Sequence, residues 1–264
     1  MQDTKSFNLW GDKIPYYAET VDFIPKVTYY PANSRGAVIV FAGGSYSHRA
    51  VHESYGIAEW LSENGVQAFV IDYRVLPYRH PSPLCDAMRA IRYVRHNAEL
   101  YGIDKNKIAV IGSSAGGHLV GSLSVHYDKS IYEPTDEIDL ENARPDATFL
   151  CYSVIDFSDA GNLHTVNHLL GENPSSEDIE FLSIHKHINA NTPEAFIWHT
   201  ATDPAVSVKN SLLYAEALVR EKIPVEMHIY PIGPHGLGLA KEREPYVSSW
   251  GGLLLRWLEL RNWK

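Results

Sequence analysis

Short apolar runs recur along the chain, and most are followed by a turn and a stretch with helical spacing. The runs are rich in branched and aromatic residues and lack the alternation of a half-exposed strand. Each therefore predicts a strand that is buried on both faces. The clearest runs cover residues 37–42, 67–73, 107–111, 147–153, 195–200 and 225–230. Their alternation with helices predicts an α/β fold built on a parallel sheet with right-handed crossovers.

Apolar residues recur at helical spacing in four other stretches. These lie at residues 50–64, 81–98, 207–222 and 246–263. The longest stretch without a clear period runs from Asp156 to Thr192 and holds four of the thirteen histidines. Ordered insertions of this length more often shape a binding site than decorate a core. We expect one domain over residues 1–264, with the insertion at about 156–192 shaping the substrate site.

Composition narrows the class of protein. The chain has 264 residues, of which 45% are hydrophobic and 21% charged, as in an ordinary water-soluble domain. Its net charge of −9 argues against nucleic acid and anionic membranes as partners. No segment has the length of a signal peptide core or a membrane span. The two cysteines form no Cys-x-x-Cys pair, so we expect neither a disulfide framework nor a zinc site, and a cytoplasmic location.

A strand, a tight turn and a helix follow one another in the segment IAVIGSSAGGHL, residues 108–119. Ser114 stands at the centre of a Gly-x-Ser-x-Gly pattern, with Gly112 and Gly116 two positions away on either side. Such a turn is so tight that its neighbours must be almost without side chains, and the serine hydroxyl stands clear of the sheet. We interpret Ser114 as a nucleophile. The alternative is a glycine-rich turn that carries a bystander serine.

Serine is a poor nucleophile at neutral pH, so it needs a base and a group that orients the base. Asp203 and His235 each follow a predicted strand, and the order serine, aspartate, histidine is that of the α/β-hydrolase arrangement. Asp203 could instead be a helix N-terminal residue, because Pro204 follows it, and His235 could be an ordinary loop histidine. The remaining polar candidates are expected to have structural or supporting roles. They are Asp72, Asp86, His118 and His199.

Acyl transfer by a serine nucleophile also needs backbone N–H groups that face the oxyanion. Ala115 opens the helix after the proposed nucleophile and supplies one such group. The loop Ala42–Tyr46 leaves the strand expected beside that of Ser114, and its glycines let the backbone approach a substrate closely. We therefore expect an oxyanion hole formed by Gly44, Ser45 and Ala115.

Five stretches together carry a resemblance to a known family. They read VIVFAGGSY, FVIDYRVLPYRHPSPLCDAMRAIRYVR, IAVIGSSAGGHL, FIWHTATDPAV and IYPIGPHGLGL. Over roughly Val27 to Trp257 the chain is similar to α/β-hydrolase esterases, namely the hormone-sensitive-lipase-like carboxylesterases and, more closely, small acetyl-xylan or feruloyl-type esterases. The resemblance implies an α/β-hydrolase fold with a mostly parallel central sheet of about eight strands, flanked by helices on both faces. It also implies that no separate helical cap of lipase size is present.

The same resemblance assigns the site residues one by one. It implies Ser114 as nucleophile, His235 as base and Asp203 as the acid that orients the base. The carried-over oxyanion donors are Gly44, Ser45 and Ala115. Two departures stand out. The family loop usually begins His-Gly-Gly-Gly, and the segment before the acid usually reads His-Gly. Here Ala42 replaces the histidine of the first motif, and Ser45 replaces its third glycine. In the second motif, Thr200 replaces the glycine.

We therefore expect a serine carboxylesterase that cleaves short acyl esters, such as acetyl groups on a sugar or a xylo-oligosaccharide. No cofactor and no metal are implied, the partner is a small-molecule ester, and a homodimer stays open. Four aromatic residues are candidates for the wall of a sugar site, namely Tyr16, Tyr46, Trp198 and Trp250. The alternatives are an arylformamidase, another amidase or a peptidase-like hydrolase on the same fold, and a non-catalytic binding protein on the same scaffold.

Overall fold

The computed structural model describes residues 4–241 and 243–264, and within them the chain forms an eight-stranded sheet. The strands are β1 (Lys5–Asn8), β2 (Lys26–Tyr30), β3 (Ala37–Phe41), β4 (Gln67–Asp72), β5 (Ile108–Ser113), β6 (Ala147–Cys151), β7 (Glu194–Thr200) and β8 (Val225–Tyr230). Their order is β1-β2-β4-β3-β5-β6-β7-β8. Only the pairs that involve β2 are antiparallel. The predicted α/β-hydrolase architecture, with a mostly parallel sheet of about eight strands, is confirmed.

Helices cover both faces of this sheet. They are α1 (Tyr55–Glu63), α2 (Ser82–His96), α3 (Ala98–Tyr101), α4 (Ala115–His126), α5 (Leu163–Leu170), α6 (Ser176–Leu182), α7 (Lys209–Arg220) and α8 (Ser249–Leu260). Successive side chains of a strand point to opposite faces. Accordingly, Ile39 and Phe41 of β3 join one buried cluster, with α2, α4 and α7. Val38 and Val40 join the other cluster, with α1 and α8. None of the described helices has the length and apolar character needed to cross a bilayer.

One predicted boundary is wrong. Helical spacing begins at Ala50 in the sequence, but α1 begins at Tyr55, after a 3-10 turn over Val51–Glu53. The reason is tertiary contact. The Ala50 N–H donates to the Gly43 carbonyl at 3.0 Å. Because this bond holds Ala50 to the loop after β3, the helix begins only further along the chain. The end of α1 agrees with the predicted stretch, since its last residue is Glu63 and Gly65 follows with a positive φ of 80°.

A fully buried ion pair holds the segment between β4 and α2. The Arg74 guanidinium donates to both carboxylate oxygens of Asp86, at 2.9 and 2.8 Å. The Trp10 indole donates to the same carboxylate at 2.7 Å. Both charged side chains have no exposed surface, so the pair compensates two charges that would otherwise be costly to bury. Asp86 therefore has the structural role that the sequence indicated.

His118 is a second buried polar group, one turn into α4. Its Nδ1 lies 2.8 Å from the Tyr46 hydroxyl and its Nε2 2.9 Å from the Leu182 carbonyl oxygen. Its ring stacks on Phe157, with 3.9 Å between ring centroids. Burial lowers the pKa of His118 from 6.5 to about 3, so the folded protein keeps this imidazole neutral. These contacts join α4 to the loop after β3 and to the 156–192 segment.

This neutral imidazole predicts a loss of stability in acid. The unfolded chain takes up a proton at His118 as the pH falls through 6.5, whereas the folded protein does so only near pH 3. The stability that this residue contributes is complete above pH ~6.5 and is lost below it, by about 2 kcal/mol between pH 7 and pH 5. Urea unfolding of His118→Gln at both pH values should lack that part of the loss. The exposed His164→Gln is the control and should keep it. An equal loss in wild type and His118→Gln would contradict the prediction.

Candidate active site

Ser114 lies between the end of β5 and the start of α4 in a conformation that few residues adopt. Its φ is 52° and its ψ is −119°, in a region that is strained for any residue with a side chain. Close packing explains the glycines around it. A methyl group at Gly112 would collide with the backbone of Gly116, and one at Gly116 would collide with the carbonyl oxygens of Phe41 and Ala42. The turn therefore has the crowding that the Gly-x-Ser-x-Gly pattern predicted.

The structure brings the three predicted side chains into one hydrogen-bonded chain. Ser114 Oγ lies 2.8 Å from His235 Nε2, so the hydroxyl is placed to donate to the imidazole. His235 Nδ1 lies 2.7 Å from Asp203 Oδ2, so the other ring nitrogen is placed to donate to the carboxylate. The three residues follow β5, β8 and β7, which run parallel in the sheet. Their carboxyl ends share one edge, where ligand sites of open α/β sheets gather.

Asp203 is held by its own loop as well as by His235. Its side chain is fully buried, and its Oδ1 accepts the N–H groups of Ala205 and Val206 at 2.9 and 3.0 Å. Burial raises its pKa, but hydrogen bonds from His199, His235 and the Val206 N–H outweigh burial and hold the pKa well below the ordinary value. Since α7 begins only at Lys209, Asp203 is not at a helix N-terminus. The carboxylate is ionised at neutral pH.

His199 has a contact that the sequence analysis missed. Its Nε2 lies 3.0 Å from the Val206 carbonyl oxygen and 3.4 Å from Asp203 Oδ2. Its Nδ1 lies 2.8 Å from the Ser211 hydroxyl. The ring is fully buried, and it approaches the same carboxylate oxygen that His235 contacts, so it supports Asp203 from within the protein. The four-residue separation of His199 and Asp203 was visible in the sequence, but the turn that folds them together was not.

The loop after β3 presents its backbone beside Ser114, because β3 is a direct neighbour of β5 in the sheet. Gly44, Ser45 and Tyr46 all have positive φ, at 120°, 51° and 58°. Within the described part of the chain, the N–H groups of Gly44, Ser45 and Ala115 donate to no protein group. Other groups of the loop form hydrogen bonds that hold it in place. Gly44 O accepts the Ser47 N–H at 2.9 Å, and Ser45 O accepts His168 Nδ1–H at 2.8 Å.

The aromatic wall expected for a sugar site is not present as predicted. Tyr46, Trp198 and Trp250 are almost fully buried, and only Tyr16, which is 53% exposed, could touch a ligand. Trp198 and Trp250 stack on each other in the core with 5.1 Å between ring centroids. The expectation was wrong for Tyr46, Trp198 and Trp250, because a side chain in the core offers no face to a sugar, and for Tyr16 it stays a prediction.

Two further carboxylates form hydrogen bonds, and only one of them, Asp72, was a candidate in the sequence. Asp72 accepts the Tyr55 hydroxyl at 2.7 Å and lies 3.4 Å from the Arg49 guanidinium, which is the structural role expected of it. Glu53 was not singled out in the sequence, yet its buried carboxylate accepts the N–H of Gly43, in the loop after β3, at 3.0 Å.

Among residues 4–241 and 243–264, no cluster of His, Cys, Asp or Glu is arranged to hold a metal ion.

Comparison with known proteins identifies a family. The family model BD-FAE matches residues 27–218. The chain is 36% identical to endo-1,4-beta-xylanase B of Butyrivibrio fibrisolvens, over 95% of this chain and 40% of the relative. It is 30% identical to the acetylxylan esterase of Xylanibacter ruminicola, over 80% of this chain and 43% of the relative. The chain thus spans about two fifths of the length of these curated relatives.

The fold of one solved structure matches that of this protein over nearly the whole chain. The acetyl ester-xyloside bifunctional hydrolase from Caldicellulosiruptor lactoaceticus superposes with a TM-score of 0.92 at 41% identity, covering 98% of this chain and 97% of that one. The carboxylesterase Cest-2923 from Lactobacillus plantarum, at 21% identity and a TM-score of 0.77, shares the fold. The chain belongs to the BD-FAE family, within the α/β-hydrolase esterases.

Proposed function

We propose that this protein is a serine carboxylesterase in which Ser114 is the nucleophile, His235 the general base and Asp203 the acid that orients it. The observation that carries the proposal is the continuous hydrogen-bonded chain from Ser114 Oγ through His235 to Asp203, with links of 2.8 and 2.7 Å. A serine hydroxyl becomes a useful nucleophile when an imidazole can take its proton. Membership of a family with esterase relatives supports the same chemistry.

The reaction divides into two transfers. Ser114 Oγ attacks the ester carbonyl carbon while His235 Nε2 takes the hydroxyl proton. The tetrahedral intermediate then expels the alcohol, which leaves with that proton, and an acyl group stays on Ser114. Water repeats the sequence and releases the acid. Asp203 stays ionised throughout, because its pKa is well below neutral, and it stabilises the imidazolium that forms at each step.

The oxyanion of each intermediate is stabilised by backbone donors. We assign this role to the N–H groups of Gly44, Ser45 and Ala115, which donate to no other group in the described part of the chain. The Ala115 N–H also lies at the start of α4, where the helix dipole favours negative charge. Each donor of this kind typically lowers the transition-state barrier by about 2.7–4 kcal/mol.

The proposed substrate is a short-chain ester, above all an acetyl group on a sugar or xylo-oligosaccharide. Support comes from the names of the relatives, an acetylxylan esterase and an acetyl ester-xyloside hydrolase. We further propose that the 156–192 segment shapes the substrate site of a single domain. Its helix α5 reaches the loop after β3 through the bond between His168 and the Ser45 carbonyl. No cofactor takes part in this chemistry.

Removing the nucleophile tests the mechanism. Ser114→Ala should lower the turnover of p-nitrophenyl acetate by roughly 10³-fold or more, because no acyl-enzyme can form. Ser122→Ala is the matched control, since Ser122 is buried on the helix that follows Ser114 and has no hydrogen-bond partner among the described residues. It should keep turnover within about 2-fold. Near-wild-type turnover of Ser114→Ala would remove the proposed mechanism.

Replacing the orienting carboxylate tests the chain of bonds. Asp203→Asn keeps the shape of the side chain but favours the wrong tautomer of His235, so kcat should fall by roughly 10³- to 10⁴-fold at neutral pH. The control Asp72→Asn changes a carboxylate that contacts Tyr55 and Arg49. Steady-state kinetics of both variants make the comparison. A kcat of Asp203→Asn as high as that of Asp72→Asn and wild type would show that Asp203 does not orient the base.

The substrate class is tested by a graded panel. Acetyl, butyryl and octanoyl p-nitrophenyl esters are compared with acetylated xylo-oligosaccharides and with an aryl formamide. We expect kcat/KM to be highest for acetyl among the simple esters, with release of acetate from the acetylated sugar. A clear optimum above butyryl would contradict the short-chain proposal. Faster cleavage of the formamide than of every ester would replace it with an amidase.

A further inference from the structure

Glu53 is a buried carboxylate that the proposed reaction does not use. Only 3% of the residue is exposed, and it lies just after the loop that follows β3. Among the described residues, the only basic group within 4.0 Å is the His52 ring, which is itself mostly exposed. A buried carboxylate without a buried cation is costly unless hydrogen bonds satisfy it. Its position therefore calls for a reason beyond packing.

Both oxygens of Glu53 are engaged by the walls of the active site. Oε2 accepts the Gly43 N–H at 3.0 Å, at the start of the proposed oxyanion loop. Oε1 accepts the Tyr152 hydroxyl at 2.8 Å, and that hydroxyl in turn accepts the Gly238 N–H at 2.9 Å. Gly238 lies in the loop that carries His235. A continuous chain of three hydrogen bonds thus joins the oxyanion loop to the histidine loop.

The contact between Glu53 and Tyr152 lies close to the side chains of Ser114 and His235. A methyl group at Gly43 would collide with Glu53 on one side and come within 3.0 Å of Ser114 Cβ on the other. The Tyr152 ring meets the His235 ring edge to face, with 5.1 Å between centroids. Tyr152 itself has a φ of 38°, and the residue before it, Cys151, accepts the Ser114 N–H at 2.9 Å. Glu53 and Tyr152 therefore contact the oxyanion loop and the histidine loop, and Tyr152 directly follows the residue that holds the Ser114 N–H.

The phenol remains a donor at every pH the enzyme would meet. Burial, together with the negative charge of Glu53, raises the pKa of Tyr152 well above its ordinary value. The bond to Glu53 therefore holds its direction, from the Tyr152 O–H to the carboxylate. This leaves the other lone pairs of the phenol for the Gly238 N–H.

We propose that Glu53 and Tyr152 form a positioning pair that fixes the oxyanion loop and the histidine loop relative to Ser114. Neither residue touches the substrate. Anchoring the Gly43 N–H to the carboxylate sets the peptide plane from which Gly44 and Ser45 continue in left-handed conformations. Loss of the pair lets the oxyanion donors and the imidazole drift apart, and transition-state stabilisation depends on donor placement. The inference rests on the proposed esterase function of the same site.

Two near-isosteric variants and one matched control test the pair. Glu53→Gln removes the charge and keeps the shape, and Tyr152→Phe removes the hydroxyl and keeps the ring against His235. The control Tyr55→Phe removes a similar tyrosine–carboxylate bond, of 2.7 Å to Asp72, outside this chain of bonds. For each variant, kcat and KM for p-nitrophenyl acetate, the rate of reaction with a fluorophosphonate and the folded fraction by near-UV circular dichroism are measured.

The expected result is a selective loss in the chemical step. In Glu53→Gln and Tyr152→Phe, kcat and the phosphonylation rate should both fall by roughly 10- to 100-fold, while KM stays within about 2-fold and Tyr55→Phe matches wild type. Unchanged kcat in both variants, or a loss no larger than the unfolded fraction, would overturn the inference. If wild type itself neither cleaves esters nor reacts with the fluorophosphonate, the proposed function fails and the inference falls with it.

Discussion

The backbone conformation of Ser114 is the constraint on which the rest of the site depends. A φ of 52° at a residue with a side chain is maintained only because the surroundings leave no alternative. Gly112 and Gly116 supply the space, and the Cys151 carbonyl accepts the Ser114 N–H at 2.9 Å. The same turn places the hydroxyl at the carboxyl edge of the sheet and starts α4, so that Ala115 is the first residue of that helix. One strained residue therefore sets both the proposed nucleophile and one proposed oxyanion donor.

Sheet order explains why distant parts of the chain meet there. β5 lies between β3 and β6, and β7 and β8 follow on the same side. The loops after β3, β7 and β8 then carry the proposed oxyanion segment, Asp203 and His235 to one edge. Because β6 lies between β5 and β7, it ends at the same edge, and Tyr152 follows it directly. The register of parallel strands thus positions five segments without any long-range covalent link.

Much of this arrangement could be predicted from the sequence, because its causes are local. Gly112 and Gly116 flank Ser114 at fixed positions, and the apolar runs on either side reveal strand and helix. The order of Ser114, Asp203 and His235 then follows the order of the strands. The fold predicted in this way is confirmed, and the three side chains lie together as expected. Each of these features needs only a few neighbouring residues to be recognised.

What the sequence could not predict depends on tertiary contact. Hydrophobicity alone does not distinguish an aromatic residue that lines a ligand site from one in the core. Trp198 and Trp250 were therefore predicted to line the sugar site, although both lie in the core on one face of the sheet. Glu53 lies within the stretch that the sequence assigned to a helix and belongs to no motif, and its burial arises from the Gly43 and Tyr152 contacts. The link from His199 to Asp203 depends likewise on the shape of one turn.

In the proposed mechanism, the Ser114 hydroxyl is activated by its place in this chain of bonds. The most direct measurement is the site of modification by a fluorophosphonate, located by peptide mass spectrometry on folded and on urea-unfolded protein. We expect one adduct, on Ser114, in the folded protein and none after unfolding, because the activation depends on distant residues that the fold brings together. A folded protein that stays unmodified, or that carries its adduct on another residue, would contradict it.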